Sequence, residues 1–252
     1  MANSYDLTGK NVLVAAGAKN LGGLISRDAA KAGANVAIHY NSPETRPEAE
    51  KTLAAVQEAG GKGVLLTGDL TVPANVATLF ADAEAALGMI DVAINTVGKV
   101  LRKPIVETTE DEYDAMFDIN AKAAYFFIQE AGKRLADGGR IITIATSLLN
   151  AFTDGYSTYA GGKAPVEDFT RAAAKEFADR MISVNVIAPG PMDTPFFYGQ
   201  ETPERVEFHK SQAMGNRLTE IEDIAPIVLF LATDGGWLTG QILFPNGGYT
   251  TR

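Results

Sequence analysis

Tyr159 and Lys163 are the two residues of this chain whose types and spacing most directly suggest chemistry. Residues four positions apart share a face of a helix, so the lysine ammonium can lie beside the tyrosine hydroxyl. A free tyrosine has a pKa of about 10, and a neighbouring cation favours the phenolate and lowers that pKa. The pair therefore predicts a site for proton transfer near neutral pH, although a solvated helix face would show the same spacing.

A glycine-containing turn follows the first apolar run, at residues 12–16. Glycines at a strand-to-helix turn let the backbone approach a phosphate, and the N-terminus of the next helix supplies free N–H groups. The turn predicts a nucleotide-binding site, although glycine can also serve the geometry of the turn alone. Its candidate binding residues are Gly17, Lys19, Asn20, Leu21 and Gly22.

The end of the second predicted strand bears on which nucleotide is bound. An acidic residue there would bind the ribose 2′-hydroxyl and repel a 2′-phosphate. The polar residues at the end of this strand and directly after it are His39, Asn41 and Ser42. The first carboxylate that follows the strand is that of Glu44. Together with Lys19 these side chains could accommodate a phosphate, so NADP(H) is favoured over NAD(H).

Short apolar runs alternate with longer amphipathic stretches along the whole chain. Most of the runs are continuous, which is typical of parallel strands covered on both faces, and strand–helix alternation implies right-handed crossovers. The sequence predicts one α/β domain over residues 1–252, a Rossmann-type doubly wound parallel sheet of about seven strands with helices on both faces. The predicted strands are 11–16, 35–40, 63–67, 90–95, 140–145, 183–188 and 241–245, and the predicted helices are 22–32, 44–59, 72–87, 110–136, 157–178 and 221–231.

Residues 189–217 form the one long segment without a helical or strand pattern, and prolines stand at positions 189, 191, 195 and 203. A loop of that length inside a compact domain is usually functional, so the segment is predicted to cover the substrate. Its Phe196, Phe197 and Tyr198 could close an apolar pocket or pack against a neighbouring subunit.

Composition excludes several classes of function. The chain has no cysteine and only two histidines, so we expect neither disulfides nor a metal site. A net charge of −9 argues against nucleic acid or an anionic membrane as partner. The first ten residues have no apolar core like that of a signal peptide, and no apolar run approaches 18 residues. We expect a soluble, cytoplasmic protein with a small-molecule substrate.

In combination these motifs resemble the short-chain dehydrogenase/reductase family over nearly the whole chain. Residues 17–23 resemble the family's glycine motif, and residues 95–98 its fourth-strand motif. Tyr159 and Lys163 match its catalytic pair, and Asn120 matches its helix asparagine. Further matches are Asp69 and Leu70 in the turn after the third strand, the strand at 139–144, the segment 185–191 with Thr194, and the closing segments 237–241 and 246–248.

The resemblance implies a mechanism and assigns roles. Tyr159 would give a proton to a carbonyl oxygen as NADPH delivers hydride to its carbon, while Lys163 would lower the tyrosine pKa and hold the nicotinamide ribose. Asn120 would position a water behind Lys163, and a hydroxyl would stabilise the substrate oxygen. Asp69 would support the adenine ring. The other cofactor-binding residues implied are Leu70, Asn95, Val97, Gly98, Pro189, Gly190, Met192 and Thr194.

The catalytic hydroxyl has two candidates. The family's spacing of 13 residues before the tyrosine selects Thr146, which also follows the preceding strand without a gap. Ser147 has the usual serine chemistry and a smaller side chain that leaves more room for substrate. We favour Ser147 over Thr146.

Two departures from the family pattern affect the site. Leu21 replaces the middle glycine of the turn, which puts a phosphate contact there in question. Pro165 lies two residues after Lys163 and removes a hydrogen bond inside the predicted helix, so the helix should bend. We expect the Tyr159–Lys163 geometry to survive the bend.

Two other functions compete with carbonyl reduction. Tyr156 and Lys163 have the Tyr-x6-Lys spacing of enoyl-thioester reductases, which reduce a carbon–carbon double bond. From a different class, the chain could be a catalytically silent NADP-binding sensor or scaffold. Intact Tyr159, Lys163 and Asn120 argue against the silent protein.

The substrate is expected to be a 3-oxoacyl thioester or a simple or aryl ketone, because the predicted pocket is mostly apolar. The resemblance also implies a homo-oligomer, as a tetramer, that pairs the helices at 110–136 and 157–178 across subunits. The predicted pocket residues are Leu148, Leu149, Tyr156, Phe196 and Phe197.

Overall fold

The computed structural model describes residues 5–251, and its centre is a parallel sheet of seven strands. The strand order is β3-β2-β1-β4-β5-β6-β7, so the direction of winding reverses between β1 and β4. The predicted fold class is confirmed, and each predicted strand is present with shorter bounds or equal ones. The strands are β1 Asn11–Ala15, β2 Asn35–Tyr40, β3 Gly63–Thr67, β4 Val92–Asn95, β5 Arg140–Ile144, β6 Ser183–Ile187 and β7 Ile242–Leu243.

Helices cover both faces of the sheet because successive strand residues point to opposite sides. Val12 and Val14 of β1 pack on one side, with the helices at residues 20–31, 46–58 and 221–232. Leu13 and Ala15 pack on the other side, with the helices at residues 73–87, 123–134 and 165–176. The α-helices are α1 Asn20–Lys31, α2 Arg46–Glu58, α3 Pro73–Leu87, α4 Glu110–Phe117, α5 Ala123–Arg134, α6 Ser157–Lys163, α7 Pro165–Glu176, α8 Pro195–Tyr198, α9 Pro203–Ser211 and α10 Ile221–Ala232.

Two predicted long helices are each interrupted near a candidate site residue. The helix predicted at 110–136 contains a π-helical turn, Asp118–Lys122, between α4 and α5. Such turns widen a helix locally and are frequent at functional sites, and this one contains Asn120. The helix predicted at 157–178 divides at Ala164 into α6 and α7, because Pro165 has no N–H to continue the ladder. Ala164 keeps helical angles, so Tyr159 and Lys163 stay within α6.

The sequence predicts that residues 189–217 are irregular throughout, and the structure differs from that prediction. It contains α8 and α9, and Pro195 and Pro203 are their first residues rather than loop residues. Proline is favoured there because the first N–H of a helix has no partner and the ring fixes a helical φ. Thr202 caps α9 by accepting a hydrogen bond from the Arg205 N–H at 3.4 Å. Among residues 5–251, no helix has the length and apolar character needed to cross a bilayer.

Candidate active site

A long cleft opens at the C-terminal ends of β1, β4 and β5, beside the point where the strand order reverses. Doubly wound sheets bind ligands in this crevice. Tyr159 and Lys163 form part of its floor. The rest of the lining comes from the turn after β1, the end of β2, the turn after β4 and the segment after β6, and includes Lys19, Asn20, Gly22, Asn41, Leu70, Val97, Gly98, Met192 and Thr194.

In the turn after β1, the backbone at Gly22 lies close to the backbone at Ala16. A β-carbon on Gly22 would lie 2.2 Å from the Ala16 carbonyl oxygen, so no larger residue fits there. Asn20 begins α1 with φ +49, a left-handed conformation that asparagine tolerates. Leu21 borders the cleft, but only 4% of it is exposed and its side chain belongs to the core beneath α1. The departure from the glycine pattern therefore serves packing.

Gly17 lies below this turn. Its N–H donates to the His39 carbonyl at 2.9 Å, and a β-carbon on it would lie 2.8 Å from the Val14 carbonyl oxygen. Gly17 therefore supports the turn from beneath.

Two of the residues predicted to hold a 2′-phosphate are committed elsewhere. His39 is 2% exposed, its Nδ1 accepts from the Ala16 N–H at 3.1 Å, and its Nε2 lies 2.8 Å from the Gly68 carbonyl. Burial lowers the pKa of His39, so its ring is neutral and offers no charge to a phosphate. The Ser42 hydroxyl interacts with Glu44 and lies 3.4 Å from Thr45 Oγ1. Lys19 and Asn41 do line the cleft, and both are exposed.

Two more predicted cofactor residues act within turns. The Asp69 carboxylate accepts from the N–H and the hydroxyl of Thr71, at 2.9 and 2.8 Å. Asn95 is 2% exposed and accepts from the Val97 N–H at 3.0 Å. These bonds shape the turns after β3 and β4, and in doing so they present Leu70, Val97 and Gly98 to the cleft.

Lys163 is fixed between the ends of two neighbouring strands. Its Nζ donates to the carbonyls of Val97 at 2.9 Å and Ile144 at 3.0 Å, and the residue is 3% exposed. Asn120 lies next to it, and its amide donates to the Lys99 carbonyl at 2.9 Å and the Met116 carbonyl at 3.0 Å. Asn120 thus ties the turn after β4 to the π-helical turn.

Burial dominates the proton affinities of the central pair. Burial raises the pKa of Tyr159 to about 12, and a hydrogen bond with the Thr146 side chain opposes part of that increase. Burial also lowers the pKa of Lys163 to about 8. The prediction that the lysine would lower the tyrosine pKa below its ordinary value is therefore wrong for this arrangement. At neutral pH the phenol is protonated and the lysine is mostly charged.

The two candidate hydroxyls have different partners. Ser147 is 1% exposed, donates to the Ala188 carbonyl at 2.7 Å and accepts from the Asn246 amide at 3.1 Å. The Thr146 side chain lies near enough to Tyr159 to oppose part of the rise in its pKa, and Thr146 Oγ1 accepts from the Leu148 N–H at 3.2 Å. Both residues border the smaller cavity, and Ser147 also joins β6 to the closing segment, so the choice between the two hydroxyls stays a prediction.

A second, smaller cavity adjoins the cleft and shares Ala145, Tyr159, Met192, Thr194 and Phe196 with it. Leu148, Tyr156 and Phe197 line it as predicted, and so do Pro189 and Gly190, which were assigned to the cofactor. Leu149 does not border it and packs instead with the small core cluster around Val166 and Val186.

The cavity is mostly apolar, as expected, but one of its walls carries polar side chains. That wall is formed by Tyr156, Gln200, Glu201, His209 and Tyr249. Sequence reasoning missed the last four, because no motif or spacing connects them. The Tyr156 hydroxyl donates to Glu201, and burial together with that carboxylate raises the pKa of Tyr156 far above its ordinary value.

Thr194 supplies evidence that the cleft suits a polar ligand. Its Oγ1 is buried and has no hydrogen-bond partner among the described residues, although it lies at the junction of the two cavities. An unpaired buried hydroxyl costs about 1–3 kcal/mol, so such a group usually meets a ligand or water. The described residues contain no group of three or more His, Cys, Asp or Glu side chains placed to hold a metal ion.

Comparisons with known proteins agree with this architecture. A family model described as Enoyl-(Acyl carrier protein) reductase matches residues 15–250. A Picea abies protein named short-chain type dehydrogenase/reductase is 34% identical over 251 residues, which is 96% of this chain and 93% of that protein. An Arabidopsis thaliana NADPH-dependent aldehyde reductase-like protein is 33% identical over 96% of this chain and 95% of its own length.

Among solved structures, a putative dehydrogenase from Burkholderia cenocepacia with bound NADP is 54% identical and has a TM-score of 0.96. The match covers 98% of this chain and 96% of that one. The chain belongs to the short-chain dehydrogenase/reductase family, whose members are NAD(P)-dependent oxidoreductases, and the predicted family is confirmed.

Proposed function

We propose that this chain reduces a ketone to an alcohol with NADPH, and that Tyr159 donates the proton. The observation that carries the proposal is the position of Tyr159, which borders both the long cleft and the smaller cavity. A carbonyl in the smaller cavity would therefore meet a phenol on the side that faces the nucleotide cleft.

The cofactor supplies the hydride. Gly22, Asn20 and the N-terminus of α1 would hold its pyrophosphate, because they line the cleft where the helix begins and its first N–H groups lack helical partners. Thr194 would bind the nicotinamide end through its unpaired hydroxyl. The preference for NADP(H) rests on Lys19 and Asn41, and on the absence of a carboxylate directly after β2. It agrees with the NADP bound to the Burkholderia cenocepacia protein and with the name of the Arabidopsis thaliana relative.

The chain's own residues would handle the proton and the developing charge. A protonated Tyr159 is the form that a proton donor requires, and its raised pKa maintains that form at neutral pH. The Thr146 hydroxyl would donate to the same substrate oxygen as negative charge develops on it. Lys163, fixed by two carbonyls, would stabilise the phenolate left behind. The water-positioning role of Asn120 remains part of the proposal.

Geometry argues against the enoyl-thioester reductase alternative, although the matching family model carries that description. That reaction would need the Tyr156 hydroxyl beside Lys163. Here the Tyr156 hydroxyl is bonded to Glu201, whereas the Lys163 ammonium is bonded to the Val97 and Ile144 carbonyls. The silent-sensor alternative predicts NADPH binding without turnover of any carbonyl compound.

The experiment is a comparison of Tyr159→Phe and Tyr156→Phe on a panel of ketones, 3-oxoacyl thioesters and enoyl thioesters with NADPH or NADH. We expect ketone reduction, with kcat lowered by roughly 10²–10⁴-fold in Tyr159→Phe and by less than about tenfold in Tyr156→Phe. NADPH affinity, measured by calorimetry, should be equal in all three proteins. Enoyl reduction that is lost only in Tyr156→Phe, or no turnover with any compound, would overturn the proposal.

We further propose that α8 and α9 cover the substrate and that the protein is a homotetramer. Phe196 and Phe197 of α8 and His209 of α9 all border the smaller cavity. For assembly, Tyr125 of α5 is 46% exposed and packs edge-on against Phe169 of α7. This aromatic surface suits pairing with a second copy, and light scattering of the purified protein tests it.

A further inference from the structure

A polar cluster of Tyr156, Glu201, His209 and Tyr249 lies on one wall of the smaller cavity. The four residues join through hydrogen bonds: Glu201 Oε1 accepts from Tyr156 and lies 3.1 Å from His209 Nε2, and His209 Nδ1 lies 2.9 Å from the Tyr249 hydroxyl. The catalytic role proposed for Tyr159 uses none of these groups. A mostly apolar cavity with a few convergent polar groups is the usual form of a site that fixes ligand orientation.

Glu201 cannot itself be the ligand-binding group. Its side chain is 0% exposed, and its Oε2 accepts from Arg205 Nε at 3.1 Å while Arg102 Nε lies 3.8 Å away. The two arginines balance its charge, and both also contact the Asp154 carboxylate. With both oxygens occupied and the charge compensated, the carboxylate has no capacity left for a cationic substrate.

The bonds of the cluster fix the direction of each phenolic hydrogen. A carboxylate only accepts, so His209 Nε2 carries a hydrogen, and in that tautomer Nδ1 accepts from the Tyr249 hydroxyl. Tyr156 likewise gives its hydrogen to Glu201. Burial raises the pKa of both tyrosines, so neither loses that hydrogen near neutral pH. Each phenolic oxygen is left with accepting capacity only.

Gln200, the other polar side chain on this wall, is also engaged. Its Oε1 accepts from the Arg102 N–H at 2.9 Å, and its Nε2 donates to the Gly199 carbonyl at 3.2 Å. The phenolic oxygens of Tyr156 and Tyr249 are therefore the groups of the wall best placed to receive a hydrogen bond from a ligand.

We propose that the polar cluster is a substrate-recognition site for a hydrogen-bond donor, and that the preferred ketones carry a hydroxyl group on their organic arm. This inference rests on the proposed function and narrows its substrate class. A site that presents buried acceptors discriminates against analogues without the donor, because those acceptors are then left unpaired. Tyr156 and Tyr249 are thus specificity-determining residues, whereas Tyr159 acts on the carbonyl.

The test compares acetophenone, its meta- and para-hydroxylated isomers and the corresponding methoxy ethers as substrates. Hydroxyl and methoxy groups have similar electronic effects on the carbonyl, but only the hydroxyl can donate. For the wild type we expect kcat/KM to be roughly tenfold or more higher for at least one hydroxylated isomer than for its ether. In the double variant Tyr156→Phe/Tyr249→Phe that ratio should fall to about 1–2, because both phenolic acceptors are removed.

Tyr113→Phe is the matched control, because Tyr113 is a surface tyrosine of α4, 47% exposed and stacked on Phe117. It should keep the wild-type ratio. Calorimetric binding of the hydroxylated isomers to the protein with NADPH gives a readout that does not need turnover. Equal kcat/KM for hydroxyl and methoxy partners, or a ratio unaffected by the double variant, overturns this inference while leaving ketone reduction intact. Binding that depends on the two tyrosines without turnover supports the site and removes the proposed reaction.

Discussion

Gly98 and Lys163 are packed so closely that a β-carbon on residue 98 would lie 3.1 Å from Lys163 Nζ. The same β-carbon would lie 3.0 Å from Asn120 Oδ1, so it would press on both residues together. The absence of a side chain at this turn is therefore part of what sets the position of the ammonium.

Gly98→Ala should displace the ammonium by a few tenths of an ångström without unfolding the protein. We expect kcat/KM for ketone reduction to fall by roughly 10–100-fold, since misplacing a catalytic group by about 1 Å can cost about 10²-fold. Steady-state kinetics with thermal unfolding checks this. Gly138→Ala is the control: a β-carbon there meets no atom within 4 Å, although its φ of +77 should lower stability slightly. Equal activity in both variants would contradict the packing argument.

Thr146 and Ser147 should separate into a catalytic and a structural hydroxyl. Thr146→Val removes the hydroxyl proposed to donate to the substrate oxygen, and we expect kcat to fall by about 10²–10³-fold, with partial recovery in Thr146→Ser. Ser147→Ala leaves the Asn246 amide and the Ala188 carbonyl short of a partner, which should lower the free energy of unfolding by about 1–3 kcal/mol. Kinetics and urea unfolding on the same preparations measure both effects. The reverse pattern would identify Ser147 as the catalytic hydroxyl.

The lowered pKa of Lys163 predicts how activity and stability change with pH. Reduction should decline as the pH rises through about 8, because the ammonium that supports the phenolate is then lost. Stability should change in the opposite sense. The unfolded chain holds this proton up to the ordinary pKa of 10.5 and the folded chain releases it at about 8, so the unfolded state binds more protons in between.

The free energy of unfolding should therefore rise between pH 8 and 10 by up to about 3 kcal/mol from this group. Lys163→Met removes the titrating group and should flatten that rise. Urea unfolding of both proteins at pH 8 and pH 10 makes the comparison. A parallel rise in the variant would show that other groups cause it.

Asn41→Asp should reverse the cofactor preference. Asn41 is exposed on the cleft, and a carboxylate there would repel a 2′-phosphate while accepting from a ribose hydroxyl. We expect the Kd for NADPH to rise about tenfold or more, with little loss of NADH affinity. Calorimetry with both nucleotides measures the two constants. Ser42→Asp is the matched control, because residue 42 does not border the cleft and the change should affect both nucleotides much less.

The sheet could be predicted from the sequence because each buried strand reads as a continuous apolar run, and each strand begins or ends near glycine or polar residues. The interruptions of the two long helices could be predicted from the sequence only in part. Pro165 marks one directly, whereas the π-helical turn at Asp118–Lys122 depends on packing that no periodic pattern encodes.

The site residues also divide into those that the local sequence predicts and those that depend on packing between distant parts of the chain. Tyr159, Lys163 and Asn120 are recognisable from spacing and motif context. The burial of His39 and Leu149 could not be predicted in this way, because it is decided by neighbours far along the chain. The polar cluster was missed for that reason too: Tyr156 and Glu201 are 45 residues apart, and His209 and Tyr249 are 40 apart. Only folding brings these pairs together.

Asp154 binds Arg102 through one carboxylate oxygen, at 3.1 Å, and Arg205 through the other, at 2.6 Å. It thereby links the segment after β4 and residues 195–211 to the loop after β5. Residues of all three segments border the smaller cavity. Because the Asp154 side chain is 74% exposed, each tie is weak and sensitive to salt. We therefore expect a rising salt concentration to loosen the contacts among these segments and so to ease the passage of small molecules into and out of the smaller cavity that they border.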